Sequence, residues 1–128
     1  MRPSDRSYAE SHEWAKLNGD IVLVGITDFA VEQLGELVYL DLPKPGRVLR
    51  KGESFGEVES VKAVSDLYAP ADGEIVEVNS ALSDDLDTLQ TDPFGGGWLI
   101  KLRIKAPAQA LSGLLDAKSY EQRVAAAH

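Results

Sequence analysis

The chain has 128 residues, the size of one domain, and its 13 basic against 21 acidic side chains give a formal net charge of -8. Such a field repels phosphate backbones and anionic membranes, which argues against nucleic acid and membrane partners. Cysteine is absent and histidine occurs only at His12 and His128, which removes disulfides, thiol nucleophiles and zinc sites built from those ligands.

Met1 to Ser7 is polar, with no apolar stretch of the kind a signal peptide needs, and no apolar run reaches the roughly eighteen residues of a membrane span, so a cytoplasmic protein is expected. Tyr8 to Trp14 reads as an opening strand, Asn18-Gly19-Asp20 as a hairpin turn, and Ile21 to Ile26 as a buried second strand. Thr27 or Asp28 can cap a short helix through Phe29, Val31 and Leu34, with Gly35 where a left-handed C-terminal residue is wanted. Leu37 to Leu42 is rich in strand formers and is stopped by Pro43. Turns follow at Pro45-Gly46 and Lys51-Gly52.

Phe55 to Glu59 has the mixed pattern of a half-buried strand, and Gly73 to Val78 reads as another. Between them lies Glu59 to Asp66, Glu-Ser-Val-Lys-Ala-Val-Ser-Asp, which puts Lys62 between small or β-branched neighbours at a strand reversal. A lysine there projects into solvent from a stiff base, as suits a side chain that a modifying enzyme must find. Any single lysine is by default a surface charge, and Lys62 stands out by its setting rather than its type.

Asn79 or Ser80 can cap a brief helical turn at Ala81-Leu82. Asp92 to Gly97 is a loop by composition; it is not a phosphate cradle, because no lysine with Ser or Thr follows and the next element is a strand rather than a helix. In that strand Trp98, Ile100, Leu102 and Ile104 alternate with Lys101, Arg103 and Lys105, so the apolar set is expected in the core. From Pro107 the pattern turns helical through Leu111, Leu114 and Leu115, and Asp116 caps a last helix through Tyr120 and Val124. Short strands punctuated by glycine and proline predict a small β-barrel or sandwich.

The Lys62 run resembles the lipoyl-attachment site of glycine cleavage system H proteins. The resemblance continues in order through Ser11-His12-Glu13-Trp14, Gly25 to Asp28, Gln33-Leu34-Gly35, the strand Leu37 to Leu42, Phe55-Gly56, Pro70 to Asn79, Asp92-Pro93 and Gly97 to Lys101, covering roughly residues 7 to 124. It implies a mainly β fold, a flattened barrel-sandwich hybrid of the lipoyl/biotinyl type with two antiparallel sheets and short helices. It also implies a single lipoyl-carrier domain over 1–128, with a core at about 7–105 and a helical C-terminal segment at about 107–126.

The resemblance implies lipoate in amide linkage to Lys62, attached by a lipoate-attaching enzyme. A pyridoxal-phosphate glycine decarboxylase would load an aminomethyl group, a tetrahydrofolate-dependent aminomethyltransferase would remove it, and dihydrolipoyl dehydrogenase would reoxidise the arm. The chain itself is then a carrier and not an enzyme. Ser11, Glu13 and Asp66 match the family's cleft that shelters the loaded arm; the plain alternative for Glu13 and Asp66 is a solvated surface carboxylate. For His12 a structural role is preferred, since no partner for a catalytic triad stands beside it.

Biotin carriers share the architecture but resemble Met-Lys-Met, where Val61 and Ala63 flank the lysine here. Lipoyl domains of 2-oxoacid dehydrogenases resemble Asp-Lys-Ala and hang on flexible linkers. A self-contained hydrolase is disfavoured by the residue content. An H-like protein that relays lipoate to other acceptors stays within the same resemblance. Where the family has an asparagine and an acidic residue before its Asp-Pro, this chain has Leu89-Gln90-Thr91, and Gly95-Gly96-Gly97 is also a departure. Both are expected to lie in a loop and to affect partner contact more than fold.

Overall fold

The structure is a computed structural model that describes residues 2–105 and 111–127. Its strands are β1 (Ser7–Tyr8), β2 (Glu13–Asn18), β3 (Ile21–Ile26), β4 (Leu37–Asp41), β5 (Val48–Leu49), β6 (Ser54–Ser60), β7 (Val64–Tyr68), β8 (Gly73–Val78) and β9 (Ile100–Arg103). The helices are α1 (Asp28–Leu34), α2 (Leu86–Thr91) and α3 (Ala117–Ala127), with a 3-10 turn at Ser80–Asp84. A six-stranded sheet runs β1-β2-β3-β9-β8-β5 and a three-stranded sheet β4-β6-β7. All the pairings are antiparallel.

The inner faces of the two sheets make one core. Ala15, Val22, Val24, Ile75, Ile100 and Leu102 come from the larger sheet, and Leu40, Phe55, Val58 and Leu67 from the smaller. A second cluster, Tyr8, Trp14, Phe29, Ala117, Tyr120 and Val124, fastens α3 to the outside of the larger sheet. This is the expected barrel-sandwich layering. Among the described residues no helix is long and apolar enough to cross a membrane.

Local chemistry accounts for the elements. Asn18 pairs with Ile21 across the predicted hairpin turn, where Gly19 has φ 67°. Thr27 rather than Asp28 caps α1, its side chain accepting from the Ala30 N–H at 3.2 Å. Gly25 lies against Trp14 so closely that a Cβ would stand 2.4 Å from the indole, which is why glycine interrupts an otherwise apolar strand.

Four expectations are corrected. Tyr8 to Trp14 is not one strand: a reversal at residues 9–12 folds β1 back on β2, pairing Tyr8 with Trp14. Trp98 is half-buried beneath the Lys101 ammonium, 5.0 Å from its ring centroid. The core position is Leu99, which is fully buried and bonds the Val24 carbonyl ahead of the regular strand; the alternation from Ile100 to Ile104 holds. Asn79 does not cap the 3-10 turn, because its amide donates instead to the carbonyls of Gly96 and Trp98 at 3.0 and 2.8 Å. Residues 111–115 form a turn that ends in a bridge from Leu115 to Tyr8, not a helix; the start of the predicted helical segment, 106–110, lies outside the described residues. Asp116 does cap α3, accepting from the Ser119 N–H at 2.8 Å.

Candidate functional site

Lys62 stands at the tip of the β6–β7 hairpin, as the sequence predicts. Ser60 organises the turn. Its N–H donates to the Ala63 carbonyl at 2.8 Å, and its hydroxyl oxygen accepts from the N–H groups of Lys62 and Ala63 at 3.3 and 3.1 Å. Serine suits this place because one short hydroxyl can satisfy backbone groups that a tight turn leaves over. The tip is anchored sideways by the Val61 N–H, which donates to the Glu36 carbonyl at 3.0 Å.

Four consecutive residues, Val61 to Val64, are exposed, and Val61 retains 66% of its accessible surface. Two uncharged β-branched side chains thus flank an exposed amine, and among the described residues the Lys62 Nζ makes no hydrogen bond or salt bridge. Gly35, with φ 82°, passes beneath the lysine, and a Cβ there would lie 3.7 Å from Lys62 Cε. Positive φ favours glycine, and its missing side chain keeps the base of the lysine clear.

The segment under the tip is braced by a residue the sequence reading assigned to a loop. Gln90 lies in α2, where its amide oxygen accepts from the Leu37 N–H at 3.3 Å and its amide nitrogen donates to the Gly35 carbonyl at 3.4 Å. Leu89 is fully buried. Leu89-Gln90-Thr91 therefore bears on the fold beneath the site, contrary to expectation. The glycine run does form a loop, held by the Asp92 carboxylate accepting from the Gly96 N–H at 2.9 Å.

Ser11 and Glu13 come together directly. The Ser11 hydroxyl donates to Glu13 Oε1, while Glu13 Oε2 accepts from the Tyr68 N–H at 3.2 Å. Glu13 is 2% exposed and is no surface carboxylate. Burial pushes its pKa up to about 7, against the opposing pull of the hydrogen bonds from Ser11 and Tyr68. Asp66 is exposed on β7 and joins the group only through Tyr68, whose hydroxyl lies 3.5 Å from Asp66 Oδ2.

The five residues of β7 carry the chain roughly 16 Å from the Lys62 turn to Tyr68, at about 3.3 Å per residue. Tyr68 and Ser60 had no signal in the sequence beyond their place beside Lys62 and Asp66. His12 has a structural role, as expected, with Nδ1 2.7 Å from the Tyr120 hydroxyl. Among the described residues no group of three or more His, Cys, Asp or Glu is placed to hold a metal ion.

This arrangement can be set beside known proteins. The family model described as Glycine cleavage H-protein matches residues 6–127. A glycine cleavage system H protein of Thermus thermophilus is 51% identical over 120 residues, covering 94% of this chain and 93% of the relative. One from Symbiobacterium thermophilum is 50% identical over 119 residues, covering 93% and 92%. The crystal structure of an H protein from Mycobacterium marinum superposes with a TM-score of 0.88 at 48% identity, covering 97% of this chain and 99% of that one. The chain belongs to the glycine cleavage H-protein family, the lipoyl carriers of the glycine cleavage system, which bear that group on a lysine.

Proposed function

We propose that Lys62 is the lipoyl-bearing lysine and that the arm built on it carries the aminomethyl group of glycine between separate enzymes. The observation that carries this reading is the Lys62 turn: an exposed amine with no partner among the described residues, on a hairpin tip held by Ser60 and Glu36. Those residues fit the group. A long acyl arm needs a base that does not move and an amine that an attaching enzyme can reach.

When bound, the lipoyl group supplies a cyclic disulfide whose opening takes up the aminomethyl carbon on one sulfur and leaves a thiol at the other. The chain's own residues present and protect. Ser60 sets the register of the amine, and Val61 and Val64 offer uncharged flanks to whichever active site receives the tip. In this reading Glu13, with Ser11 and Asp66, receives a cationic amine at the far end of β7; the Ser11–Glu13 bond and the Tyr68 link to both carboxylates support it. A buried carboxylate facing that cation is stabilised in its ionised form by a charge-assisted bond.

In this reading the carrier catalyses nothing itself. It meets a pyridoxal-phosphate glycine decarboxylase, a tetrahydrofolate-dependent aminomethyltransferase, dihydrolipoyl dehydrogenase and a lipoate-attaching enzyme. Peptide mass mapping of protein made in cells supplied with lipoate tests the assignment: one lipoyl adduct is expected, on the Lys62 peptide, and none in Lys62→Arg. A biotin-sized adduct, or lipoate on another lysine, would overturn it. The cleft is tested apart from the arm's attachment. Loaded Glu13→Gln and Asp66→Asn proteins should lose their cargo to buffer faster than wild type, by about fivefold where about 1 kcal/mol of screened attraction is removed. Equal decay would return both carboxylates to structural roles.

A further inference from the structure

Ser11 and Glu13 flank a residue whose side chain is tied to a different element. His12 has φ 78°, the one positive value outside glycine among the described residues. Its backbone is bound on both sides: the N–H donates to the Ala9 carbonyl at 2.9 Å, and the carbonyl accepts from the Thr27 N–H at 3.0 Å. The Ala9 N–H donates to the Glu13 carbonyl at 2.8 Å and closes the reversal. Where Ser11 and Glu13 point is therefore set by how this short loop is held.

The imidazole supplies the hold. Its Nδ1 is 2.7 Å from the Tyr120 hydroxyl, which is itself 2.8 Å from Thr27 Oγ1. Thr27 Oγ1 already accepts from the Ala30 N–H as the cap of α1. A consistent set of protons has Thr27 donating to Tyr120 and Tyr120 donating to His12, with the imidazole neutral. Burial first, and Arg2 second, hold the His12 pKa below its ordinary value, in keeping with that assignment. Tyr120 is fully buried, with its ring stacked on Tyr8 at 4.7 Å between centroids. Its hydroxyl is pushed up to about 12, mainly by burial, so it remains a donor.

We propose that Tyr120, on the C-terminal helix, is a positioning residue for the aminomethyl cleft: its hydroxyl, by holding His12, fixes the reversal that aims Ser11 and Glu13 at the arm. This rests on the cleft reading given above. Packing alone would ask only for the ring, which Tyr8 covers. The hydroxyl is needed only if the loop must be pinned, so ring and hydroxyl can be separated.

The experiment uses the unlipoylated chain and follows the Glu13 carboxyl by carbon NMR through a pH titration, in wild type, Tyr120→Phe and His12→Asn. Asparagine tolerates a positive φ but is too short to reach Tyr120, so it cuts the same link from the other side and decides the matter if Tyr120→Phe does not fold. Both variants should lower the Glu13 midpoint by about half a pH unit or more, because a loosened loop admits water to a carboxyl whose raised pKa comes chiefly from burial. Val124→Ala, which weakens the same helix without touching the hydroxyl link, should leave the midpoint where it is. In loaded protein, Tyr120→Phe should speed the loss of cargo about twofold. An unmoved Glu13 midpoint in both variants, or an equal shift in Val124→Ala, overturns this inference and leaves the cleft reading intact. A loaded Glu13→Gln protein that decays at the wild-type rate overturns the cleft reading itself, and with it any role of Tyr120 toward the arm.

Discussion

The backbone N–H of Tyr68 donates to Glu13 Oε2 at 3.2 Å across 55 positions of sequence, joining β7 of the small sheet to β2 of the large one. The strand that begins at the Lys62 turn thus ends on the buried carboxylate.

Glu13 should make stability depend on pH. Its folded pKa, pushed up to about 7, lies above the ordinary value of 4.5, so the folded state holds the proton more tightly than the unfolded chain. The stabilisation is then fully present below pH 4.5 and is lost as pH rises through about 7. At about 1.4 kcal/mol per pH unit the full loss is about 3.5 kcal/mol, of which about 2.5 kcal/mol falls between pH 5 and pH 8. Denaturant unfolding of the unlipoylated protein at pH 5 and pH 8 should show it. Glu13→Gln should flatten the dependence and be at least as stable as wild type at pH 8. A wild-type profile that Glu13→Gln leaves unchanged would mean that the group is hydrated and ionised throughout.

Ser60 should matter more to modification than to folding. Ser60 is itself buried beneath the exposed tip, so Ser60→Ala leaves the part-buried Lys62 and Ala63 N–H groups without their acceptor, and about 1 to 2 kcal/mol is expected in stability. The rate of lipoate attachment, followed by intact mass, should fall severalfold. Exchanging Lys62 with Ala63 keeps composition and charge and should abolish most attachment while circular dichroism stays native. Undiminished attachment in both would show that the attaching enzyme does not read the geometry of the turn.

In the core, Ile100→Ala should cost about 2 to 5 kcal/mol by denaturant unfolding, since Ile100 is fully buried between β3 and β8. Gly25→Ala should cost about 1 to 3 kcal/mol for the opposite reason. The added methyl meets the buried Trp14 ring at 2.4 Å, and the ring is held by Nε1 bonds to the Ile26 and Pro93 carbonyls, both 3.0 Å. A near-neutral Gly25→Ala would mean that the indole can move aside.

Much of this was legible in the chain. The alternation from Ile100 to Ile104, the Asn18-Gly19 turn and the Thr27 cap are local signals, and local signals carry through because few contacts can overrule them. The Glu59 to Asp66 run was legible as a hairpin for the same reason. What failed were places where a side chain serves a distant segment. Asn79 abandons its helical turn for two carbonyls beyond α2, and Gln90 leaves no trace in composition of its bonds to Gly35 and Leu37. The reversal at His12 is invisible to periodicity because a histidine with positive φ depends on Ala9 and Thr27. For Glu13 the sequence left the cleft and the surface both open, because burial of a carboxylate is decided by what folds over it, here Tyr68 and Ser11.

If the arm on Lys62 takes its cargo from glycine, the Lys62 peptide must gain mass when the loading enzyme acts. Lipoylated protein is incubated with glycine and a pyridoxal-phosphate glycine decarboxylase, and the Lys62 peptide is then weighed. The mass of an added aminomethyl group on that peptide is predicted in wild type, with no adduct in Lys62→Arg. A wild-type protein that carries lipoate on Lys62 yet gains no such mass, while another H protein is loaded under the same conditions, would contradict the account and favour a carrier that hands lipoate to other acceptors.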